Sequence, residues 1–373
     1  MKPTLKKLQD QVMVITGASS GIGLVTARLA AKEGTRLVLA ARTEDALRRL
    51  TDEINQAGGQ AIYVVADVSQ QDDVRHISQA AIERFGGFDT WVNDAGVSIY
   101  GKVEETPVED MRKLFDTNVW GLVYGSLEAA KHLRMRGGAI VNIGSILSET
   151  TAIHQTIYSA SKHAVKGFTD GLRMELELEE APIHVSLVKP AAIDTPYTVN
   201  AKNYMDHELQ HAPPAYAPDL VAETILHCAE TGQREVTVGG GGKMINAMNH
   251  YAPGLTDLFM EKVFSKQTKS DRPAGPRSNN GLDHGNARLK ERGNYPGHTR
   301  ETSVYTSATT HPLVTAAVIA GAGVGLAAWL GRSNSGKAST PKASKESITS
   351  TNGNSDAANI SQPKVGISTS TAS

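Results

Sequence analysis

The run Thr16-Gly17-Ala18-Ser19-Ser20-Gly21-Ile22-Gly23 constrains the fold of this chain more than any other stretch. It follows the apolar strand pattern Val12-Met13-Val14-Ile15 and opens a helix whose apolar positions Ile22, Val25, Ala27, Leu29 and Ala30 recur at helical spacing. A strand that turns through glycines into a helix leaves free backbone N–H groups and the positive helix end facing outward, where a phosphate is held. Gly17 permits the tight turn, Gly21 lets an anion reach the main chain, and Gly23 lets helix and sheet pack closely. Ser19, Ser20 and Ile22 complete the same loop and are read as contacts of the same ligand.

Strand and helix patterns alternate up to about Gly240. Apolar strand runs fall at 12–15, 36–41, 61–66, 90–93, 139–143, 184–188 and 235–238, with helical stretches such as 44–57, 71–85, 108–135, 158–180 and 218–231. Continuous apolar strands separated by helices predict an α/β fold: a doubly wound parallel sheet of about seven strands with helices on both faces. Its ligand crevice lies at the carboxyl ends of the strands. The 40% hydrophobic content of 373 residues suffices for one large core, assigned to residues 1–265. A net charge of −1 gives no footing for nucleic acid. The single cysteine, Cys228, lies in an apolar pattern and reads as a buried thiol, and no His/Cys cluster has metal-ligand spacing.

Beyond Lys266 the composition changes. Residues 266–312, rich in Ser, Thr, Asn, Gly, Arg and Pro, read as a flexible polar linker. Residues 313–330 carry no charge and would make a helix of about 27 Å against a bilayer core of ~30 Å. Trp329 and Arg332 mark one end, and Ala317, Gly321 and Gly325 form a small-residue stripe. The segment is expected to be a transmembrane helix that anchors the domain, itself in the cytoplasm, with residues 331–373 a disordered tail whose side is left open.

Tyr158 and Lys162 are four residues apart on a helix and share one face. An ammonium beside a phenol favours the phenolate, which tunes the tyrosine for proton transfer to or from a carbonyl or alcohol oxygen. Ser145 ends the fifth strand, where its hydroxyl can bond the same oxygen, and Asn118 is an amide inside a helix that needs partners. Singly, each has a plain structural reading as a helix surface pair, a turn serine or a main-chain brace.

With the glycine loop they form a set. TGASSGIG at 16–23, NDAG at 93–96, Asn118 in DTNVWG, Ser145 in NIGS, YSASK at 158–162 and KPAAIDT at 189–195 stand in order. From about residue 10 to 240 the chain resembles the short-chain dehydrogenase/reductase family in its compact one-domain form. The resemblance implies a Rossmann-type nicotinamide-dependent oxidoreductase. It makes Tyr158 the general acid/base and Ser145 the group that orients the reacting oxygen. Lys162 would hold the nicotinamide ribose and lower the Tyr158 pKa, and Asn118 would position Lys162 and a relay water. Asn93 and Gly96 end the fourth strand and are read as partly structural, bracing the central sheet and letting the cofactor pass close; Asn93, Ala95, Gly96, Pro190, Ile193 and Thr195 would contact the cofactor, and Asp67 and Val68 would flank the adenine. The family usually has asparagine at Asp94, a change that puts only local loop bonding in doubt, and glycine at Ala191.

The second strand ends Ala40-Ala41-Arg42 with no acid before Glu44, which favours NADP(H) over NAD(H), because Arg42 offers a planar fork to a 2′-phosphate. Residues 194–217 form a long, proline-containing connection after the sixth strand, which the resemblance makes the lid over the substrate. Tyr197, Tyr204, Met205 and Tyr216 there, with Ile99, Tyr100, Ile146, Leu147 and His154, are candidates for a mostly apolar pocket. The reading is therefore hydride transfer between NADP(H) and an apolar carbonyl/alcohol substrate. The alternatives are an NAD-linked alcohol dehydrogenase and a non-catalytic cofactor-binding sensor. The resemblance also implies a homo-oligomer, a dimer or tetramer built from helices 108–135 and 158–180.

Overall fold

The computed structural model describes residues 4–285, 288–311, 315 and 316. Seven strands form the main sheet: β1 (Val12–Thr16), β2 (Arg36–Ala41), β3 (Ala61–Val65), β4 (Thr90–Asn93), β5 (Gly138–Ile143), β6 (Ile183–Pro190) and β7 (Glu235–Val238). Every pairing is parallel, in the order β7-β6-β5-β4-β1-β2-β3. The order reverses between β1 and β4, so the crevice at a topological switch point opens there.

Side-chain alternation explains the two helical layers. Met13, Ile15, Leu37 and Leu39 face α1 (Gly21–Lys32), α2 (Glu44–Gln56) and the later helix Pro218–Thr231, meeting Leu24, Leu50 and Ile225. Val12, Val14, Val38 and Ala40 face the opposite layer, α3 (Gln71–Phe85) and the long helices beyond it, meeting Ile77, Leu133 and Leu176. Met13, Val14, Ile15 and Leu39 have no exposed surface, and each such side chain stabilises the fold by about 1.5–3 kcal/mol.

The stretch read as one helix over 108–135 is two, α4 (Val108–Phe115) and α5 (Gly121–Leu133), joined by a π-helical turn at Asp116–Trp120. Asn118 sits in that turn. The helices α6 (Thr156–Leu178), α7 (Pro218–Thr231), α8 (Gly240–Tyr251) and α9 (Pro253–Phe259) follow.

The expected linker over 266–312 is corrected by the structure, because its described residues are tied to the domain. Lys269–Pro273 pairs with His207–Leu209, and Thr299–Arg300 pairs with Ala215–Tyr216. A further helix, α10 (Val304–Thr310), lies at the end of β7, where Thr306 Oγ1 accepts the Gly239 N–H at 3.1 Å. Asp194 accepts from Gly293 N and Thr299 Oγ1, both at 3.1 Å. Ion pairs join Arg28 to Glu291 at 2.6 Å and Arg292 to Glu301 at 2.7 Å. Polar groups and main chain hold this segment, which is why low hydropathy misread it. Among the described residues no helix is long and apolar enough to cross a membrane. The expectation for 313–330 lies outside them, apart from Thr315 and Ala316, as does that for 331–373.

Candidate active site

The glycine loop is built as a cradle. Gly17 has φ of +77°, and a Cβ there would stand 2.8 Å from the Ala95 nitrogen, so only glycine fits. Gly23 carries the packing: a Cβ would come within 2.5 Å of the Gly17 carbonyl oxygen and 2.7 Å of Asp94 Oδ2. Ser20 precedes α1 in extended backbone without a side-chain cap, so the helix start offers its N–H groups to a ligand.

One cleft of about 290 Å³ gathers most of the expected residues: Gly17, Ser19, Ser20, Gly21, Ile22, Arg42, Asp67, Val68, Ala95 and Gly96 on the loop side. Ser145, Tyr158, Lys162, Pro190, Ile193 and Thr195 stand on the other. Three expected contacts do not line it. Gly23 faces the sheet, and Asn93 is a brace: its amide donates to Asn142 Oδ1 at 2.9 Å and Ser126 Oγ at 3.1 Å, and its oxygen accepts from Trp91 Nε1. The Asn93 side chain thus braces the central sheet, with every polar atom of its amide partnered. Asn118 also stands one step back. Its Oδ1 accepts the Val97 N–H at 2.8 Å, and its Nδ2 donates to Val97 O at 2.9 Å and Ser161 Oγ at 3.2 Å. It fixes the strand-end loop to α6, in a π turn of the kind that recurs at functional sites.

Ser145 is the N-cap of a single helical turn, Ile146–Ser148, and its Oγ accepts the Leu147 N–H at 3.1 Å. That bond occupies a lone pair and leaves the hydroxyl proton to donate toward Tyr158, whose phenol Ser145 pulls down. Lys162 Nζ donates to the Ile143 carbonyl at 2.9 Å and lies 5.8 Å from the centre of the Tyr158 ring. The electrostatics correct one expectation. Burial pushes the Tyr158 phenol up to about 12, and hydrogen bonds from Tyr197 and Ser145, rather than the Lys162 charge, pull it down. Lys162 itself is lowered to about 8 by burial, opposed by Asp94.

Two further features were not legible in the motifs. Asp94 accepts a hydrogen bond from the Gly23 N–H, and burial raises its carboxyl to about 7, against the pull of Lys162. The substitution therefore reaches the lysine as well as the local loop. Tyr197 packs edge-on to Tyr158, ring centres 5.5 Å apart, and stacks on His211. Its hydroxyl accepts from Gln155 Nε2 at 2.6 Å and meets Ser98 Oγ at 2.8 Å. Of the pocket candidates, Tyr100, Ile146, Leu147 and Tyr197 line the cleft, joined by Gln155, His211 and Phe264. Ile99, His154, Tyr204, Met205 and Tyr216 do not; Tyr204 instead bonds Asp110.

Comparison with known proteins agrees with this geometry. The family model described as short chain dehydrogenase matches residues 11–206. An uncharacterized oxidoreductase, YxnA of Bacillus subtilis, is 46% identical over 331 residues, 88% of this chain and 92% of that protein. An 11-beta-hydroxysteroid dehydrogenase A of Arachis hypogaea is 34% identical over 271 residues, covering 69% of this chain and 77% of its own. A crystal structure of a short chain dehydrogenase/reductase from Burkholderia phymatum in complex with NAD superimposes with a TM-score of 0.59 at 25% identity, over 73% of this chain and 100% of that one. An alcohol dehydrogenase from Thermococcus sibiricus complexed with 5-hydroxy-NADP gives 0.55 at 26% identity, over 61% and 95%.

Proposed function

Because the chain belongs to the short-chain dehydrogenase/reductase family, and is thus an oxidoreductase acting on CH–OH/C=O groups with a nicotinamide cofactor, we propose that it uses NADP(H) on an apolar carbonyl or alcohol substrate. The observation that carries this reading is the meeting of Ser145, Tyr158 and Lys162 in the cleft that the glycine loop also lines. The loop fits a dinucleotide's phosphates, since Gly17, Ser19, Ser20, Gly21 and Ile22 line the cleft at the start of α1, and Ser20 makes no side-chain cap there. Relatives with NAD and with an NADP derivative both occur, so the choice between them rests on Arg42 and the lack of a carboxylate at the end of β2.

Bound in this cleft, the nicotinamide supplies or accepts the hydride. The chain's own groups handle the proton. Ser145 holds the substrate oxygen by a hydrogen bond, and Tyr158 gives it a proton from its hydroxyl. Burial keeps the phenol protonated, the form that donates to a carbonyl oxygen. Ser145 and Tyr197 then stabilise the phenolate that remains. Tyr100, Ile146, Leu147 and Tyr197 give the substrate end an aromatic and aliphatic wall, which suits a substrate with apolar surface.

Residues 313–330 as a membrane tether, with the catalytic domain in the cytoplasm, is carried forward as a proposal on sequence grounds. A homo-oligomer through α5 and α6 is another, supported by the exposed Trp120, Leu127, Met174 and Leu178. The cofactor reading is tested by titrating NADPH and NADH against the parent and Arg42→Ala. The ratio of NADPH to NADH affinity is expected to fall about tenfold to hundredfold in the variant, the scale of a charge-assisted pair. An unchanged ratio contradicts the assignment of Arg42.

A further inference from the structure

The segment that follows residue 280 crosses the cofactor cleft and uses two of its anion-binding groups. The Arg42 guanidinium donates to the backbone carbonyls of Gly281, Leu282 and His284, the last two at 3.3 and 2.9 Å. The Gly21 N–H, at the start of α1, donates to the Lys290 carbonyl at 2.8 Å. Gly281, His284 and Gly285 line the same cleft as Asp67 and Tyr158. The fit at Gly285 is tight: a Cβ there would stand 2.3 Å from Thr43 Oγ1 and 3.2 Å from Arg42 Cβ.

Both ends of the crossing are anchored. Gly281 N donates to Asn200 O at 2.6 Å, and Asn280 Oδ1 accepts the N–H groups of Leu282 and Asp283, each at 2.9 Å. Asp283 pairs with Lys202 at 2.8 Å and Lys113 at 3.0 Å. Leu282 is buried in the cluster that holds Tyr158, Ile146 and Leu147. On the far side, Gly293 N donates to Asp194 Oδ1 at 3.1 Å.

We propose that residues 281–285 and 290–293 are an intrachain occupant of the cofactor site, whose carbonyl oxygens stand where phosphate oxygens bind, and that a 2′-phosphate on the adenosine ribose is the group that displaces them. The proposal rests on the cofactor reading above. One N–H cannot point at Lys290 O and at a pyrophosphate oxygen at once, so strap and dinucleotide compete at Gly21. At Arg42 the competition is unequal. A phosphate dianion makes charge-assisted, forked bonds with a guanidinium, and neutral carbonyls do not match them. A ribose hydroxyl offers no such replacement, so NADH leaves the Arg42 end of the strap in place. The seated strap therefore scales the apparent affinity by the fraction of molecules in which it is lifted.

The test is hydrogen exchange read by mass spectrometry on the full chain, alone and with saturating NADPH or NADH, occupancy being followed separately by nicotinamide fluorescence. With NADPH, the amides of Gly281, Leu282, Asp283 and Gly293 are expected to exchange at least about tenfold faster, while the α1 start gains protection. NADH at equal occupancy is expected to have a smaller effect at 281–283. Unchanged or slower exchange of those amides under full NADPH occupancy overturns the proposal, since the strap then stays in place over the cofactor. Asp283→Asn supplies a second reading, because it loosens the anchor without touching Arg42 or Gly21. Its NADPH Kd is expected to fall about three- to tenfold, with faster association; an equal or higher Kd overturns the proposal. Failure of NADPH to bind the parent at all contradicts the cofactor reading and removes the basis of this one.

Discussion

A phenol buried as Tyr158 is holds its proton until the groups around it stabilise the anion, and Tyr197 is one of the two that do so by hydrogen bond. Its hydroxyl accepts from Gln155, which leaves its own proton to donate. Tyr197→Phe removes that donor and keeps the ring, so the Tyr158 pKa rises further. Alcohol oxidation needs the phenolate, and its rate limb is expected to move about 0.5–1 pH unit upward, with cofactor Kd unchanged. A limb that does not move assigns Tyr197 to packing alone. The meeting of Ser145, Tyr158 and Lys162 in one cleft was legible because a strand end and a four-residue helical spacing are local. The partners of Tyr197, Arg42 and Asp94 were not. Arg42 bonds carbonyls some 240 positions away, and no pattern of neighbouring residues encodes such a contact.

The strand and helix periods predicted the seven-strand sheet closely, since each strand is an apolar run bounded by turns and each helix shows one buried face. The break between α4 and α5 escaped, because a π turn keeps helical composition and changes only the hydrogen-bond step. Helix α5 meets the sheet through Gly125, where a Cβ would fall 2.2 Å from Asn93 Oδ1 and 2.7 Å from Trp91 Nε1. Gly125→Ala must push apart the Trp91–Asn93–Asn142 brace. It is expected to cost about 1–3 kcal/mol, the usual scale of overpacking, read by denaturant unfolding. Parental stability in that variant contradicts the brace as described. The segment 266–311 escaped for a different reason: main-chain pairing, asparagine caps and ion pairs hold it, and none of these raises hydropathy.

Across the whole molecule, the described residues bring the glycine loop, Ser145, Tyr158, Lys162 and residues 281, 284 and 285 to one cleft, and the charge-free sequence 313–330 follows later in the chain. If that sequence tethers the enzyme, the full chain is expected in the membrane fraction after a carbonate wash, and a chain ending at residue 311 in the soluble fraction. Release of the full chain by the wash contradicts the tether and leaves the catalytic reading untouched. The catalytic reading meets its most direct test in NADPH oxidation over a panel of apolar ketones and aldehydes, comparing the parent with Tyr158→Phe at equal NADPH occupancy. The parent is expected to turn over at least one of them, and the variant at least ~100-fold more slowly with cofactor binding intact. Parental turnover by the variant, or no turnover by a parent that binds NADPH, would contradict Tyr158 as the proton donor of a reductase.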